Sequence, residues 1–231
     1  MAPPLRGLSK LRFRLFRAVL QARSVAYDLR FGEILRGDVP TPFSELDAER
    51  TSNVSYYALS LIFKDVTIAA DDVLVDVGCG KGRVINWWLS RRLPNRMVGL
   101  ELNPDVAAHT RERLRSYRNV TIVTGDGIEK LPPDGSLFFL HNPFGERTVK
   151  RLKERILELP RRNEIRIYYY NCAHVEVFEN DPRFHVAYRN LISDDCSPTR
   201  REILDRLLDS LAVIRLRSPN DDSQPRSDPG L

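Results

Sequence analysis

Cysteines, acidic residues near the N-terminus and long apolar runs are all scarce in this chain. Its three cysteines lie far apart among 231 residues and form no CxxC pair, so neither a disulfide scaffold nor a metal site is predicted. This cysteine usage is typical of a reducing compartment and predicts a cytoplasmic protein. No apolar run approaches the roughly 18 residues of a membrane span. Arginines also interrupt the N-terminal apolar residues, which argues against a signal peptide.

The first part of the chain has no acidic residue before Asp28 and is rich in Arg and Lys. Within it, apolar residues recur at helical spacing at Leu8, Leu11, Leu15 and Val19. This pattern predicts a basic amphipathic helix. Four interpretations of the helix remain open. It packs on the rest of the protein, contacts an anionic membrane surface through residues 1–23, binds an acidic partner, or is a targeting peptide.

Short apolar runs alternate with helical patterns from Val73 onward. The runs typical of strands are Val73–Val77, Met97–Leu102, Val120–Val123, Leu137–His141 and Ile165–Tyr170, with Phe184–Tyr188 and Leu211–Leu216 as further candidates. The helical patterns cover Ser55–Phe63, Arg83–Arg92, Pro104–Tyr117 after an Asn103 cap, Glu146–Leu159 and Thr199–Leu208. This alternation predicts an α/β protein with a parallel sheet covered on both faces.

The composition divides the chain into three parts. We predict a basic helical segment over residues 1–36 and an α/β domain over residues 37–217. Residues 218–231 are rich in Pro, Ser, Asp and Asn and are predicted to form a disordered tail.

A glycine-rich turn follows the first predicted strand in the stretch VLVDVGCGKGRVI, residues 73–85. Its glycines, Gly78, Gly80 and Gly82, let the backbone approach a ligand, and the next helix directs free N–H groups toward that ligand. A phosphate-binding P-loop would need GxxxxGK followed by Ser or Thr, which is absent. A dinucleotide-binding fold would need a third glycine where Arg83 stands. A third ligand class that uses such a turn is S-adenosylmethionine.

The segment Asp76–Gly82 resembles the first motif of class I S-adenosylmethionine-dependent methyltransferases, (D/E)xGxGxG. More narrowly, the chain is similar to a poorly characterised bacterial group with a YDxRFG-like segment, a VDxGCGKGR loop and an NPFG strand end, here Tyr27–Gly32, Val75–Arg83 and Asn142–Gly145. The resemblance implies a Rossmann-like methyltransferase fold with a mostly parallel seven-stranded sheet, helices on both faces and an antiparallel last strand. It also implies S-adenosylmethionine as the cofactor.

The same resemblance implies a set of cofactor-binding residues. Glu101 ends the second strand 23 residues after Gly78, where a carboxylate can accept hydrogen bonds from both ribose hydroxyls. Asp126 ends the third strand and resembles the residue that accepts from the adenine amino group. The expected cofactor-binding residues are Asp76, Gly78, Cys79, Gly80, Gly82, Glu101, Asp126, Gly127 and Asn142. Cys79 is expected to fill space rather than to act as a nucleophile.

The end of the fourth predicted strand is the candidate acceptor site. Asn142-Pro143-Phe144 partly resembles the (D/N)PP(Y/F/W) motif of amino-methyltransferases, which implies that Asn142 holds an amine and that Pro143 and Phe144 contact it. The alternative is a turn that only shapes the cofactor pocket. His141 is a candidate general base because histidine exchanges protons near neutral pH. At the end of the fifth strand, Tyr170 and Asn171 are further candidates for substrate contacts, whereas Tyr168 and Tyr169 are expected to pack under helices.

These motifs predict an S-adenosylmethionine-dependent methyltransferase. Its acceptor, a small molecule or a protein side chain with nitrogen as one candidate atom, is undefined. A second hypothesis is a nucleic-acid methyltransferase that uses the basic N-terminal segment on RNA, although no recognised RNA-binding module accompanies it. A third is a non-catalytic methyltransferase-like binding protein, against which the intact motif series argues.

Overall fold

A computed structural model describes residues 8–37, 53–160 and 164–217, with side chains described from residue 10 onward in the first of these ranges. The predicted tail, residues 1–7 of the predicted basic segment and most of the stretch between Gly37 and Val54 lie outside the described residues.

Seven strands form one sheet with the order β3-β2-β1-β4-β5-β7-β6. The strands are β1 (Leu74–Val77), β2 (Met97–Glu101), β3 (Val120–Thr124), β4 (Leu137–His141), β5 (Arg166–Tyr170), β6 (Phe184–Tyr188) and β7 (Leu211–Leu216). The first five pair in parallel, and β7 lies antiparallel between β5 and β6. This topology confirms the predicted Rossmann-like methyltransferase fold.

Helices cover both faces of the sheet. They are α1 (Leu8–Arg30), α2 (Tyr56–Ile62), α3 (Arg83–Ser90), α4 (Pro104–Leu114), α5 (Glu146–Leu157), α6 (Glu176–Glu179) and α7 (Pro198–Leu204). The predicted Asn103 cap is confirmed, because its Oδ1 accepts hydrogen bonds from the backbone N–H groups of Asp105 and Val106. Helix α6 was not predicted, since a single turn is too short for a periodic pattern.

The central strands are buried on both sides, as their runs of Val, Leu and Phe require. Alternate side chains of each strand point to opposite faces and form two cores. One core joins residues such as Val75, Phe138 and Tyr169 to α5 and α6. The other joins residues such as Phe139 and Tyr168 to α2, α3 and α4. Both tyrosines therefore pack under helices, as predicted.

Helix α1 packs on the domain through an aromatic face. The Phe16 ring meets the Tyr57 ring edge-on at 5.8 Å, and Tyr27 stacks on Tyr56 at 4.6 Å. Leu11 and Leu15 belong to the apolar face that the sequence pattern marked, and that face is exposed. The helix therefore docks through a different side from the one that its leucines indicated. Among the described residues, no helix has the length and apolarity needed to cross a membrane.

Candidate functional site

The sheet brings the predicted motifs to one edge. Strands β1 to β5 run in parallel, so the glycine loop after β1 and the ends of β2, β3, β4 and β5 lie at the same carboxyl edge. Ligands of open α/β sheets bind in the crevice outside this edge. The site described below follows the edge from the loop toward β5.

The glycine loop, residues Gly78 to Gly82, has a backbone that only glycine adopts readily. Gly78, Gly80 and Gly82 have φ angles of +76°, +51° and +74°. A Cβ on Gly78 would lie 2.7 Å from the Cβ of Pro143, and one on Gly82 would lie 2.9 Å from Cγ2 of Thr110. The loop is thus packed against the end of β4 on one side and against α4 on the other. These approaches explain why glycine is required at both positions.

Glu101 holds this loop from the end of β2. Its carboxylate accepts hydrogen bonds from the backbone N–H groups of Gly80 and Asn103, both at 2.8 Å. The residue is only 5% exposed, and burial raises the pKa of its carboxyl group. Glu101 therefore lies against the loop, at the position where the resemblance expects the ribose-binding acid.

Asp76 is a second buried acid beneath the loop. It is 3% exposed, and among the described residues no hydrogen-bond donor reaches its Oδ2 atom. Burial, with a smaller contribution from the charge of Glu101, raises the pKa of Asp76 well above its usual value. A buried acceptor without a donor is rare in folded proteins and calls for an explanation. A ligand that donates N–H or O–H groups to this part of the loop would supply that explanation.

Cys79 has the environment of an inert thiol. It is buried, and burial raises the pKa of its thiol well above the usual value, with further contributions from the charges of Asp76 and Glu101. Its Sγ atom would lie 2.8 Å from a Cβ placed on Gly99 of β2. The side chain therefore fills the gap that this strand glycine leaves, and its protonated thiol lacks the thiolate of a nucleophile.

Asp126 and Gly127 follow β3 at the same edge. Asp126 Oδ1 accepts from the backbone N–H of Ile128 at 2.9 Å, and Oδ2 pairs with an Nη2 of Arg151 at 2.9 Å. Gly127 is buried, and a Cβ there would lie 3.5 Å from the Cβ of Leu100. Any ligand that donates to Asp126 Oδ2 would share this oxygen with Arg151.

Two asparagines with left-handed backbone conformations mark the ends of β4 and β5. Asn142 has a φ of +41° and Asn171 a φ of +52°, which asparagine tolerates better than most residues. The Tyr169 hydroxyl donates a 3.0 Å hydrogen bond to Asn142 Oδ1. Asn142 is therefore fixed by its neighbouring strand, and Pro143 follows it directly against Gly78.

Of the other predicted acceptor residues, His141 is partly exposed, whereas Tyr170 and Phe144 are buried. The His141 ring lies 5.3 Å from the Tyr170 ring on the face opposite to Tyr169. Tyr170 is buried, and its hydroxyl accepts from the backbone N–H of Asp209 at 2.9 Å. Phe144 packs into the core beneath α5. The strand ends thus bring Asn142 and His141 to the edge, whereas Tyr170 and Phe144 point into the two cores.

Hydrogen bonds from the N-terminal segment also hold the glycine loop. The residues that make them are not among the predicted cofactor-binding residues. Asp28 is buried and accepts from Arg83 at 2.9 Å and from the Tyr56 hydroxyl at 2.8 Å. Lys81 Nζ donates to the carbonyl oxygens of Arg36 and Gly37 at 2.7 and 3.0 Å. The one sequence signal of this network was the YDxRFG-like segment.

Arg113 completes the network from α4. Its guanidinium donates to the carbonyl oxygens of Phe31 at 2.9 Å and of Lys81 at 2.6 Å, and to Asn86 Oδ1 at 3.0 Å. One side chain therefore ties the end of the N-terminal segment to the loop. The loop is held by three elements besides its own strand: the stretch after α1, the end of β2 and α4.

Comparison with known proteins finds a family match for the first part of the sheet. Residues 74–144, which run from β1 through the glycine loop to the end of β4, match the family model described as a methyltransferase domain. These residues are therefore similar to a methyltransferase domain. The match supports methyl transfer as the enzymatic activity, and the family model names no acceptor. No curated protein sequence matches the chain significantly.

Solved structures resemble this chain in fold. A candidate O-methyltransferase of Klebsiella pneumoniae aligns with a TM-score of 0.52 and 15% identity over 89% of this chain and 95% of its own. Mitomycin 7-O-methyltransferase gives a TM-score of 0.51 and 16% identity over 70% of this chain and 54% of its own. A candidate methyltransferase of Escherichia coli, yhhF, gives a TM-score of 0.50 and 15% identity over 71% of this chain and 86% of its own. At these identities the likeness concerns the fold alone.

Proposed function

We propose that this methyltransferase domain binds S-adenosylmethionine across the carboxyl edge of its sheet and transfers the methyl group in line to an acceptor that is a small molecule or a protein side chain. The observation that carries the proposal is the pair of buried acids, Asp76 and Glu101, beside the glycine loop. Burying two interacting carboxylates costs stability, and such groups concentrate at functional sites. A ligand rich in N–H and O–H donors accounts for both.

The residues present fit this cofactor. Glu101 is the proposed acceptor for the ribose hydroxyls, and Asp126 for the adenine amino group. Asp76 and the main chain of the loop from Gly78 to Gly82 would border the amino-acid end. S-adenosylmethionine supplies a methyl group bound to a sulfonium sulfur, and the thioether that departs is a good leaving group. The protein therefore has to align the reacting groups and exclude water, and it needs no covalent nucleophile.

The proposed acceptor position is beside Asn142, and a nitrogen is the proposed acceptor atom. The hydrogen bond from Tyr169 occupies Oδ1 of Asn142 and orients the carboxamide before any acceptor arrives. His141 at the same strand end is the proposed general base for an acceptor that must lose a proton. Pro143, Phe144, Tyr170 and Asn171 remain proposed substrate-site residues, with Phe144 and Tyr170 acting from buried positions.

A nucleic-acid acceptor is the second candidate. Its specific support is the set of exposed Arg and Lys side chains on α1, which could neutralise phosphates. The candidate of a non-catalytic binding protein has less support. If the protein bound no ligand, the Oδ2 atom of Asp76, which lacks a donor among the described residues, would lower stability without a compensating role.

Thermal unfolding with S-adenosylhomocysteine, the stable product form of the cofactor, tests the proposal. At a concentration about 100-fold above Kd, a ligand selective for the native state stabilises it by about 2.7 kcal/mol. For a domain of this size the midpoint should rise by roughly 5–10 °C. An equal concentration of NAD should produce no rise, and the same rise with NAD would contradict the proposal.

Two further arms sharpen the test. Glu101→Gln should abolish most of the shift, whereas Glu112→Gln, on the exposed surface of α4, should leave it unchanged. Burial raises the pKa of Asp76 and Glu101, so in the unliganded protein both carboxyl groups stay protonated to a higher pH than ordinary carboxyl groups do. A donor-rich ligand binds the ionised forms, so the shift should grow as the pH rises from 5.5 toward 8. A shift that shrinks over this range would exclude the acids as ligand acceptors.

A further inference from the structure

Helix α1 carries an exposed apolar face, here called the leucine stripe, formed by Leu11, Leu15, Val19, Ala22, Ala26 and Leu29. The exposed fractions of its large side chains are 64% for Leu11, 65% for Leu15, 49% for Val19 and 57% for Leu29. At about 100° per residue these positions fall within one arc of the helix. Single exposed leucines need no explanation, but a contiguous stripe of them does.

The domain already contacts the other side of the helix. Phe16 and Tyr27 meet the rings of Tyr57 and Tyr56, and Phe31 just after the helix is buried. The leucine stripe therefore points away from the domain. The aromatic contacts fix the helix in this orientation, so the stripe is held outward.

Cations border the leucine stripe on both sides. Six exposed Lys and Arg side chains lie on α1: Lys10, Arg12, Arg14, Arg17, Arg23 and Arg30. The single acid of the helix, Asp28, is buried against Arg83. The solvent-facing surface of α1 thus combines leucines with positive charge and, within the described residues of the helix, exposes no negative charge.

We propose that the leucine stripe docks on an anionic lipid bilayer, with the helix lying in the plane of the surface. An interfacial helix has this arrangement, with an apolar face in the headgroup region and flanking Lys and Arg beside lipid phosphates. A second copy of the chain is a poor occupant, because two helices facing each other would oppose their cations. A nucleic acid would engage the arginines but would leave the leucines exposed to water.

The docked helix would also bring the methyl-transfer site to the membrane. Its last turn contains Asp28, whose carboxylate bonds Arg83 directly after the glycine loop. Because this connection is a buried ion pair rather than a linker, the carboxyl edge of the sheet keeps a fixed orientation relative to the helix.

Vesicle co-sedimentation of the full chain tests the proposal without any methyl acceptor or cofactor. The protein should bind vesicles of phosphatidylcholine with phosphatidylserine and should not bind phosphatidylcholine alone. Leu11→Gln with Leu15→Gln should weaken binding about tenfold, since two exposed side chains lose their apolar transfer energy while helix propensity is kept. Arg12→Gln with Arg23→Gln should weaken it about fivefold for each cation removed.

A matched control separates the helix from the net charge of the chain. Arg115→Gln with Arg118→Gln removes the same charge from another exposed surface and should leave binding unchanged. Equal weakening by this control, or no effect of the leucine variant, would overturn the proposal. So would a lack of binding to anionic vesicles, including the case where an RNA oligonucleotide binds instead. A dimer in sedimentation equilibrium that the leucine variant dissociates would show that a second copy covers the stripe.

Discussion

The two halves of the sheet edge are built differently. Around β1 and β2, Asp76 and Glu101 are buried and hydrogen bonds from other elements hold the glycine loop. Around β4 and β5, the edge ends in Asn142 and Asn171, which are partly or fully exposed and left-handed in backbone conformation. The first half is organised before a ligand arrives. The second presents polar side chains that are more open to solvent.

This difference follows from what supports each half. The β1 half is braced by the stretch after α1, whose carbonyl oxygens accept hydrogen bonds from Lys81 of the loop. Helix α4 braces it as well, because Arg113 donates to the carbonyl oxygen of Lys81. The β4 half relies on neighbouring strands, as in the bond from Tyr169 to Asn142. Removing one of these contacts should therefore lower the free energy of unfolding more in the β1 half than in the β4 half.

The largest effect is expected from Asp28→Asn. This change keeps the shape of the side chain but leaves Arg83 facing a neutral group in a buried site. Breaking a buried pair typically costs about 3–5 kcal/mol. Chemical unfolding should show a loss of this order, and the affinity for S-adenosylhomocysteine should fall with it.

Asp134→Asn provides the matched control for Asp28→Asn. Asp134 pairs with Arg96, but both side chains are well exposed, at 40% and 48%. An exposed pair of this kind contributes less than about 1 kcal/mol. If both variants lost the same small amount, the N-terminal segment would not be what braces the loop.

A smaller loss is expected from Gly78→Ala. The φ of +76° strains any side chain, and the new Cβ would meet Pro143 at 2.7 Å. Together these should destabilise the protein by roughly 2–4 kcal/mol. Gly37→Ala isolates the backbone contribution, because Gly37 has a φ of +78° and no atom of the described residues lies within 4 Å of a Cβ placed there. It should lose about 1 kcal/mol. Equal losses in urea titrations would mean that Pro143 moves aside and the two halves are not tightly packed.

The β1 half was largely predictable because its signals are local. A buried strand, three glycines and a helix follow each other directly, and the parallel topology then places Glu101 beside them. The ion pair of Asp28 and Arg83 was not predictable, since 55 residues separate its partners. Nothing in either residue's local pattern specifies the other.

Helix α1 shows a second limit of sequence patterns. Its leucines and its aromatic residues both recur at helical spacing, so periodicity alone finds two candidate faces. The structure packs Phe16 and Tyr27 against Tyr57 and Tyr56. Aromatic rings bury more area and add ring contacts, which favours that face for docking. The burial of Phe144 was missed for a related reason. The left-handed Asn142 breaks the strand alternation that would predict which way later side chains point.

The smallest effect is expected from Tyr169→Phe in the β4 half. The ring is fully buried and stays in place, while Asn142 Oδ1 loses its donor. A neutral hydrogen bond contributes about 1 kcal/mol net, so urea unfolding should show a loss of that size. Tyr168→Phe is the control, because the Tyr168 hydroxyl makes no hydrogen bond within the described residues, and it should change stability by less. Affinity for S-adenosylhomocysteine should stay unchanged in both variants. A large fall in that affinity for Tyr169→Phe would mean that Asn142 holds the cofactor, as the motif resemblance implies, and that the two halves act as one site.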